Sequence, residues 1–196
     1  MSDLIDEYFQ GSIESLINLS NSNNIKSKVL KIVDDIYQII SQGKKILIAG
    51  NGGSAADSQH FAAELVVRYK KERRALPAIA LTTDSSILTA ASNDYSFEDI
   101  FARQVDAIGN KNDMLFLFST SGNSLNVIKA AKIAKKKEIK TVLFTGEKKS
   151  LYENLFDIEL NVPSKITAYI QECHLTLIHL ICQLIDKMYS KDAFDY

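Results

Sequence analysis

Five short apolar runs alternate with stretches of helical periodicity across the middle of this chain: Ile46-Leu47-Ile48-Ala49, Ala78-Ile79-Ala80-Leu81, Met114 to Phe118, Thr141-Val142-Leu143-Phe144 and Ile158 to Val162. No other feature restricts the fold as much. Near-continuous apolar strands are buried on both faces, and strands separated by helices are joined by right-handed crossovers. The pattern therefore predicts an α/β fold, a doubly wound and mainly parallel five-stranded sheet with helices on both sides. Ligands of such sheets bind beyond the carboxyl ends of the strands. Here those ends run into Gly50-Asn51-Gly52-Gly53-Ser54, Thr82-Thr83-Asp84, Ser119 to Ser124 and Thr145-Gly146.

The flanks are helical. Ile5, Phe9, Ile13, Leu16 and Ile17 form one stripe over residues 4–19, and Val29, Ile32, Val33, Ile36, Ile39 and Ile40 form another over 25–40. The polar break Ser20 to Asn24 separates them and Gly43 closes the second, which predicts a helical hairpin over 1–43 whose stripes pack on the domain or on another subunit. The α/β core follows over 44–163. From Pro163 and a candidate cap at Ser164, Ile166, Ile170, Cys173, Leu177, Leu180, Ile181, Leu184 and Met188 predict one long helix over 164–189. Its middle is apolar almost all round, as in a helix covered on both sides. Residues 190–196 read as a short tail, and the whole as a single domain.

Charge narrows the partners. With 23 basic and 24 acidic residues spread along the chain, there is no electrostatic footprint for nucleic acid or an anionic membrane, so a small-molecule ligand is expected. Lys132 with Lys135 to Lys137 reads as a solvated helix end. Cys173 and Cys182 lie too far apart along a helix to bond to each other. Free thiols, no leader-like N-terminus and no apolar run approaching a membrane span predict a cytoplasmic protein.

Ser119-Thr120-Ser121-Gly122-Asn123-Ser124 follows a strand and opens a helix, so its hydroxyls and backbone N–H groups face the positive end of a helix dipole, where an anion is favoured. Capping needs one hydroxyl. Four in six residues point to a phosphate cradle. Gly50-x-Gly52-x-x-Ala55 matches the dinucleotide fingerprint formally, but the acid expected about 20 positions on is missing, since Asp84 comes 34 after Gly50. The loop still brings bare backbone and Ser54 to a ligand at a helix start. On the helix that follows, His60 and Glu64 share a face, with Arg68 extending the polar stripe, beside an apolar stripe where a carboxylate can gain a useful pKa or a metal. An ordinary Glu64–Arg68 surface pair is the alternative. The remaining histidines, His174 and His179, share the last helix with Gln171. Gln171 and His179 are about 12 Å apart along the axis, so a single small site needs either converging side chains or two subunits.

Taken together, Gly50 to Ser54, His60-Phe61-Ala62-Ala63-Glu64-Leu65, Asn93-Asp94, Phe97-Glu98-Asp99-Ile100-Phe101, Ser119 to Ser124 and Ile170-Gln171-Glu172 with His179 resemble a sugar isomerase (SIS) domain, and closely the phosphoheptose (sedoheptulose-7-phosphate) isomerase family. The resemblance implies an aldose-ketose isomerase that converts D-sedoheptulose 7-phosphate to D-glycero-D-manno-heptose 7-phosphate through an enediol, for bacterial surface polysaccharide. It implies Glu64 as the base between C1 and C2, and His179 as acid/base at the sugar oxygens or ring. Ser119, Thr120, Ser121 and Ser124 would hold the phosphate. Asn51, Gly52, Gly53, Ser54, Glu64, Asn93, Asp94 and Gln171 would meet the sugar. His60, Glu64, Gln171 and His179 would ligate zinc in a homotetramer with interfacial sites. Relatives often carry an acid three positions before the glutamine, where this chain has Ala168. The competing reading is a non-enzymatic SIS protein of the replication-initiator-associating type, whose members tend to lose the Glu64 and His179 equivalents that this chain keeps. An isomerase of another phosphosugar, or a sugar-sensing module, is the third.

Overall fold

The computed structural model describes residues 1–152 and 154–189, so the tail expected over 190–196 lies outside the described residues. The chain forms α1 (Ser2–Asn21), α2 (Asn23–Ser41), β1 (Ile46–Gly50), α3 (Gly53–Val66), β2 (Ala78–Ala80), α4 (Ser85–Asp94), a 3-10 turn (Phe97–Asp99), α5 (Ile100–Ile108), β3 (Met114–Phe118), α6 (Leu125–Lys136), β4 (Lys140–Thr145), β5 (Ile158–Asn161) and α7 (Thr167–Tyr189). The strands make one five-stranded sheet in the order β2-β1-β3-β4-β5, every pair parallel. The five apolar runs are these five strands.

Alternation along the strands sorts the helices into two layers. Ile46, Ile48, Met114, Phe116, Phe118, Val142 and Phe144 point to a core shared with α1, α2, α3 and α7. Leu47, Ala49, Leu115, Leu117 and Leu143 point to the opposite core, filled by α4, α5 and α6. A period of two along each strand produces both faces at once.

The hairpin forms, with a tighter joint than the polar break suggested. Ser22 alone separates α1 from α2, because its hydroxyl accepts the Ile25 N–H at 3.3 Å and lets Asn23 and Asn24 enter the second helix. The α2 stripe is buried, whereas Leu4, Ile5, Phe9, Ile13 and Ile17 on α1 stay exposed. The last helix begins at Thr167, not at 164. Ser164 accepts the Ile166 N–H at 3.3 Å in a turn before the first helical residue. From there α7 runs beneath α1, α2 and α3, and Tyr8 donates to Glu172 at 2.9 Å where α1 meets its first turns. Both cysteines are buried and free. Among the described residues no helix is long and apolar enough to cross a membrane.

Candidate active site

Three helices start at one cavity. A space of about 240 Å³ beyond the carboxyl ends of β1 and β3 is lined by the first residues of α3, by the segment leading into α6, and by Thr167 and Gln171 of α7. Three positive dipole ends therefore face the same volume. Ser119, Thr120 and Ser124 add hydroxyls to it, and Asn51, Gly52, Gly53 and Ser54 form the opposite wall. No Lys or Arg lines it among the described residues. An anion here is met by dipoles and hydroxyls instead of a paired cation.

The serine loop turns its hydroxyls toward one another and toward its own backbone N–H groups. Ser124 occupies the position before α6, yet its side chain makes no capping bond; it lies 2.9 Å from the Ser119 hydroxyl, which lies 3.4 Å from that of Ser121. Capping is thus not what these residues do. The turn needs Gly122 at φ +71°, a left-handed conformation that glycine adopts without penalty. Ser121 opens onto a neighbouring cavity of about 330 Å³ that Thr120 also lines.

The opposite wall is held in place by a residue that the sequence pattern did not single out. Asn51 and Asn126 exchange two amide hydrogen bonds, 2.9 Å from Asn51 Nδ2 to Asn126 Oδ1 and 2.8 Å in return. The loop after β1 is tied in this way to the first turn of α6. Gln171 lies directly on Gly53: a Cβ there would come within 2.5 Å of its Nε2. Thr167, two positions after Lys165 in an unremarkable helix start, was equally silent in the sequence.

A second cluster sits two to three turns along α3 and α7. His60 Nε2 and His179 Nε2 are 2.9 Å apart, with Glu64 Oε1 3.6 Å from His60 Nε2. Tyr69 stacks on the His179 ring at 5.5 Å and 22°. Burial, with the His60 charge behind it, holds the His179 imidazole below its ordinary pKa, and Glu64 opposes this. The carboxylate that burial raises is Asp57, one turn before His60, pushed up to about 6 with Oδ2 lacking a hydrogen-bond partner. Arg68 pairs with Glu72 at 3.5 Å, so the Glu64–Arg68 pair does not form.

Three of the four expected metal ligands thus converge, while Gln171 stays at the cavity. Among the described residues no three His, Cys or carboxylate side chains stand in finished metal-site geometry. The chemistry of the donor set, two imidazole nitrogens and a carboxylate, is of the kind that zinc takes. Asn93 and Asp94 lie outside both regions, exposed at the end of α4 with Asn93 donating to Asp94 at 2.8 Å.

Residues 7–146 match the family model described as "SIS domain". A phosphoheptose isomerase of Campylobacter jejuni is 51% identical over 166 residues, which cover 85% of this chain and 89% of that one. One of Aliarcobacter butzleri is 54% identical over 153 residues, covering 78% and 81%. The structure of a phosphoheptose isomerase from Francisella tularensis superposes with a TM-score of 0.89 at 38% identity, over 94% of this chain and 97% of that one.

Proposed function

The chain belongs to the SIS domain family and is a phosphoheptose isomerase converting D-sedoheptulose 7-phosphate to D-glycero-D-manno-heptose 7-phosphate, and we propose that the helix-lined cavity and the imidazole–carboxylate cluster are the two halves of its active site. The observation that carries the assignment is the meeting of His60 and Glu64 on α3 with His179 on α7, 119 positions after His60 in sequence. Aldose-ketose isomerisation moves one proton between C1 and C2 and another between their oxygens. Glu64 takes the proton from C1 of the ketose to give the enediol and returns it to C2. His179 delivers a proton to O2 and accepts the one leaving O1. A positioned group of this kind contributes about 10²–10⁴-fold.

At the other end of the substrate, Ser119, Thr120, Ser121 and Ser124 hold the phosphate at the three helix starts. Asn51, Gly52, Gly53, Ser54 and Gln171 face the sugar hydroxyls. His60, Glu64 and His179 are the side chains that would hold zinc, while Gln171 lines the cavity eight residues before His179. A bound ion would supply positive charge beside the oxygens on which negative charge develops.

The same geometry argues for interfacial sites. On one chain His60 follows Gly53 by seven residues and His179 follows Gln171 by eight, so the cluster lies about 10–12 Å up the two helices from the cavity. In a homotetramer the cluster of one subunit can face the cavity of another, and Asn93 and Asp94 can reach the sugar across the boundary. The exposed α1 stripe suits contact with a second copy. Free buried thiols fit a cytoplasmic enzyme, feeding heptose to surface polysaccharide.

Purified enzyme assayed for sedoheptulose 7-phosphate isomerisation, before and after chelation and again after zinc is returned, tests the scheme. Activity lost with the metal and restored with zinc is expected. Full activity of demonstrably metal-free enzyme would leave Glu64 and His179 to act without an ion.

A further inference from the structure

Past the end of α3, the segment from Val67 to Arg74 folds back over α7 and touches it at three successive levels. Tyr69 lies flat on the His179 imidazole, at 5.5 Å and 22°. One turn further along α7, Lys70 Nζ donates to Gln183 Oε1 at 3.0 Å. Further still, Asp186 Oδ2 accepts the backbone N–H groups of Lys70 at 2.7 Å and Lys71 at 2.9 Å, and Asp186 Oδ1 accepts from Arg73 Nε at 2.8 Å.

Arg73 is itself the hub. Its guanidinium is fully buried, and its other nitrogens donate to the backbone carbonyls of Glu64 at 2.6 Å, Leu65 at 2.8 Å and Arg74 at 3.0 Å. Glu64 and Leu65 belong to the last turn of α3, whose carbonyls have no partner within the helix. The buried fork therefore ends the helix that carries the carboxylate while gripping the helix that carries His179. Asp186 follows His179 by seven residues, two turns on the same face.

Stability does not call for such an arrangement. A buried ion pair is often no better than apolar residues of the same volume, since desolvation offsets the attraction. What the pair adds is direction: a planar set of donors bound to fixed carbonyls permits one axial setting of α3 against α7, where an apolar contact tolerates sliding. A displacement of about 1 Å at reacting groups can cost about 10²-fold in rate.

We propose that Tyr69 and the buried Arg73–Asp186 pair are positioning residues that fix Glu64 and His179 relative to one another, the first by holding the imidazole plane and the second by holding the two helices in register. The inference rests on the acid–base reading of Glu64 and His179. It concerns the proton-transfer end of the site and leaves the phosphate end untouched, so it separates kcat from KM.

The test uses the intact oligomer and four variants, Tyr69→Leu, Tyr69→Phe, Arg73→Lys and Glu64→Gln, each checked for melting temperature and subunit assembly. Tyr69→Leu at a half-buried position should lower kcat about tenfold with KM for sedoheptulose 7-phosphate within twofold, and Tyr69→Phe, which keeps the ring, should restore it. Arg73→Lys keeps the charge and loses the fork, and should lower kcat by about 10–100-fold at unchanged KM. Folded Tyr69→Leu and Arg73→Lys enzymes with kcat within twofold of wild type overturn the proposal, as does a loss that appears in KM. Should Arg73→Lys fail to assemble, the Tyr69 pair decides alone. Glu64→Gln keeps the two failures apart: if it retains turnover, the acid–base reading is wrong; if it is inactive while the other variants are normal, only the positioning role is.

Discussion

The cradle and the cluster solve different problems by different means. The serine loop is local: its hydroxyls lie within six consecutive residues, the strand before it and the helix after it are contiguous in sequence, and its internal contacts span two to five positions. The cluster is assembled at long range, with His60 and His179 separated by 119 positions and held by packing of α3 on α7. A phosphate is a large anion that dipoles and hydroxyls bind from several directions, so a local turn suffices. Moving a proton between two adjacent carbons depends on where two side chains stand relative to each other, and only tertiary structure fixes that.

The sharpest way to separate them is to remove the base. Glu64→Gln keeps the shape of the side chain and its place 3.6 Å from His60, and should lower kcat by about 10³-fold while KM changes little. Following isomerisation by NMR of the sugar carbons, in a variant shown to assemble normally, measures this directly. Near-normal turnover would break the division between the two regions.

At the cradle the opposite signature is expected. Ser119→Ala with Ser121→Ala removes two hydroxyls that would bond a charged phosphate, each contributing about 1.5 kcal/mol at the low end for such bonds, and should raise KM by about 10²-fold with kcat falling less. Steady-state kinetics over a wide substrate range will show which parameter moves. If KM holds, the hydroxyls serve only the fold of the loop.

This contrast also explains what could be read without a structure. The five strands, the helical hairpin, the long last helix and the serine loop are written in contiguous stretches, where period and composition act locally. His60 and Glu64 were visible as an i, i+4 pair, but nothing in that pair says which way the polar stripe turns, and Arg68 joined Glu72 instead. Asn126 and Thr167 carried no signal because their partners lie elsewhere: Asn51 is 75 positions from Asn126. The placement of Gln171 with the cavity and His179 with the cluster follows from helical rise, which was legible as a distance without saying which end met which group. The start of α7 at Thr167 was missed because a turn held by Ser164 precedes the helix.

Acid should loosen the two regions together, since α7 carries a part of each. Between Gln171 and His179 lies His174, fully buried against Phe118 and Phe144, with its Nε2 3.3 Å from the Thr145 carbonyl and its Nδ1 unpartnered. Burial lowers its pKa to about 4, so between about pH 6.5 and 4 the unfolded chain takes up a proton that the folded one refuses. Stability is then complete above pH 6.5 and falls as pH drops through that window, by roughly 3 kcal/mol in all. Asp57, raised to about 6, gains stability from protonation over part of the same range, so the measurement is a difference. On going from pH 7.0 to 5.0 the urea midpoint should shift downward in wild type relative to His174→Gln, which can keep a donor for Thr145 without a titrating ring. Equal pH slopes in the two proteins would assign the acid sensitivity elsewhere.

The smallest effect is expected where the cradle itself depends on a distant residue. Asn126 is 2% exposed and exchanges both amide functions with Asn51, so Asn126→Ala leaves a donor and an acceptor on the half-buried Asn51 without their partner. That costs about 1–3 kcal/mol of stability unless water enters. The loop after β1 would then lose its tie to α6, and the wall formed by Asn51 to Ser54 would shift against Ser119 and Ser124. KM should rise by a few-fold, with kcat nearly constant, because the α3–α7 contacts that hold His60, Glu64 and His179 do not pass through Asn126. Asn126→Asp sharpens the point: it keeps an acceptor for Asn51 Nδ2 and the Val127 N–H but sets a carboxylate against the Asn51 oxygen and beside the phosphate, so it should raise KM more than alanine does. A fall in kcat at constant KM in either variant would mean that the local and the long-range halves of the site are coupled through this pair.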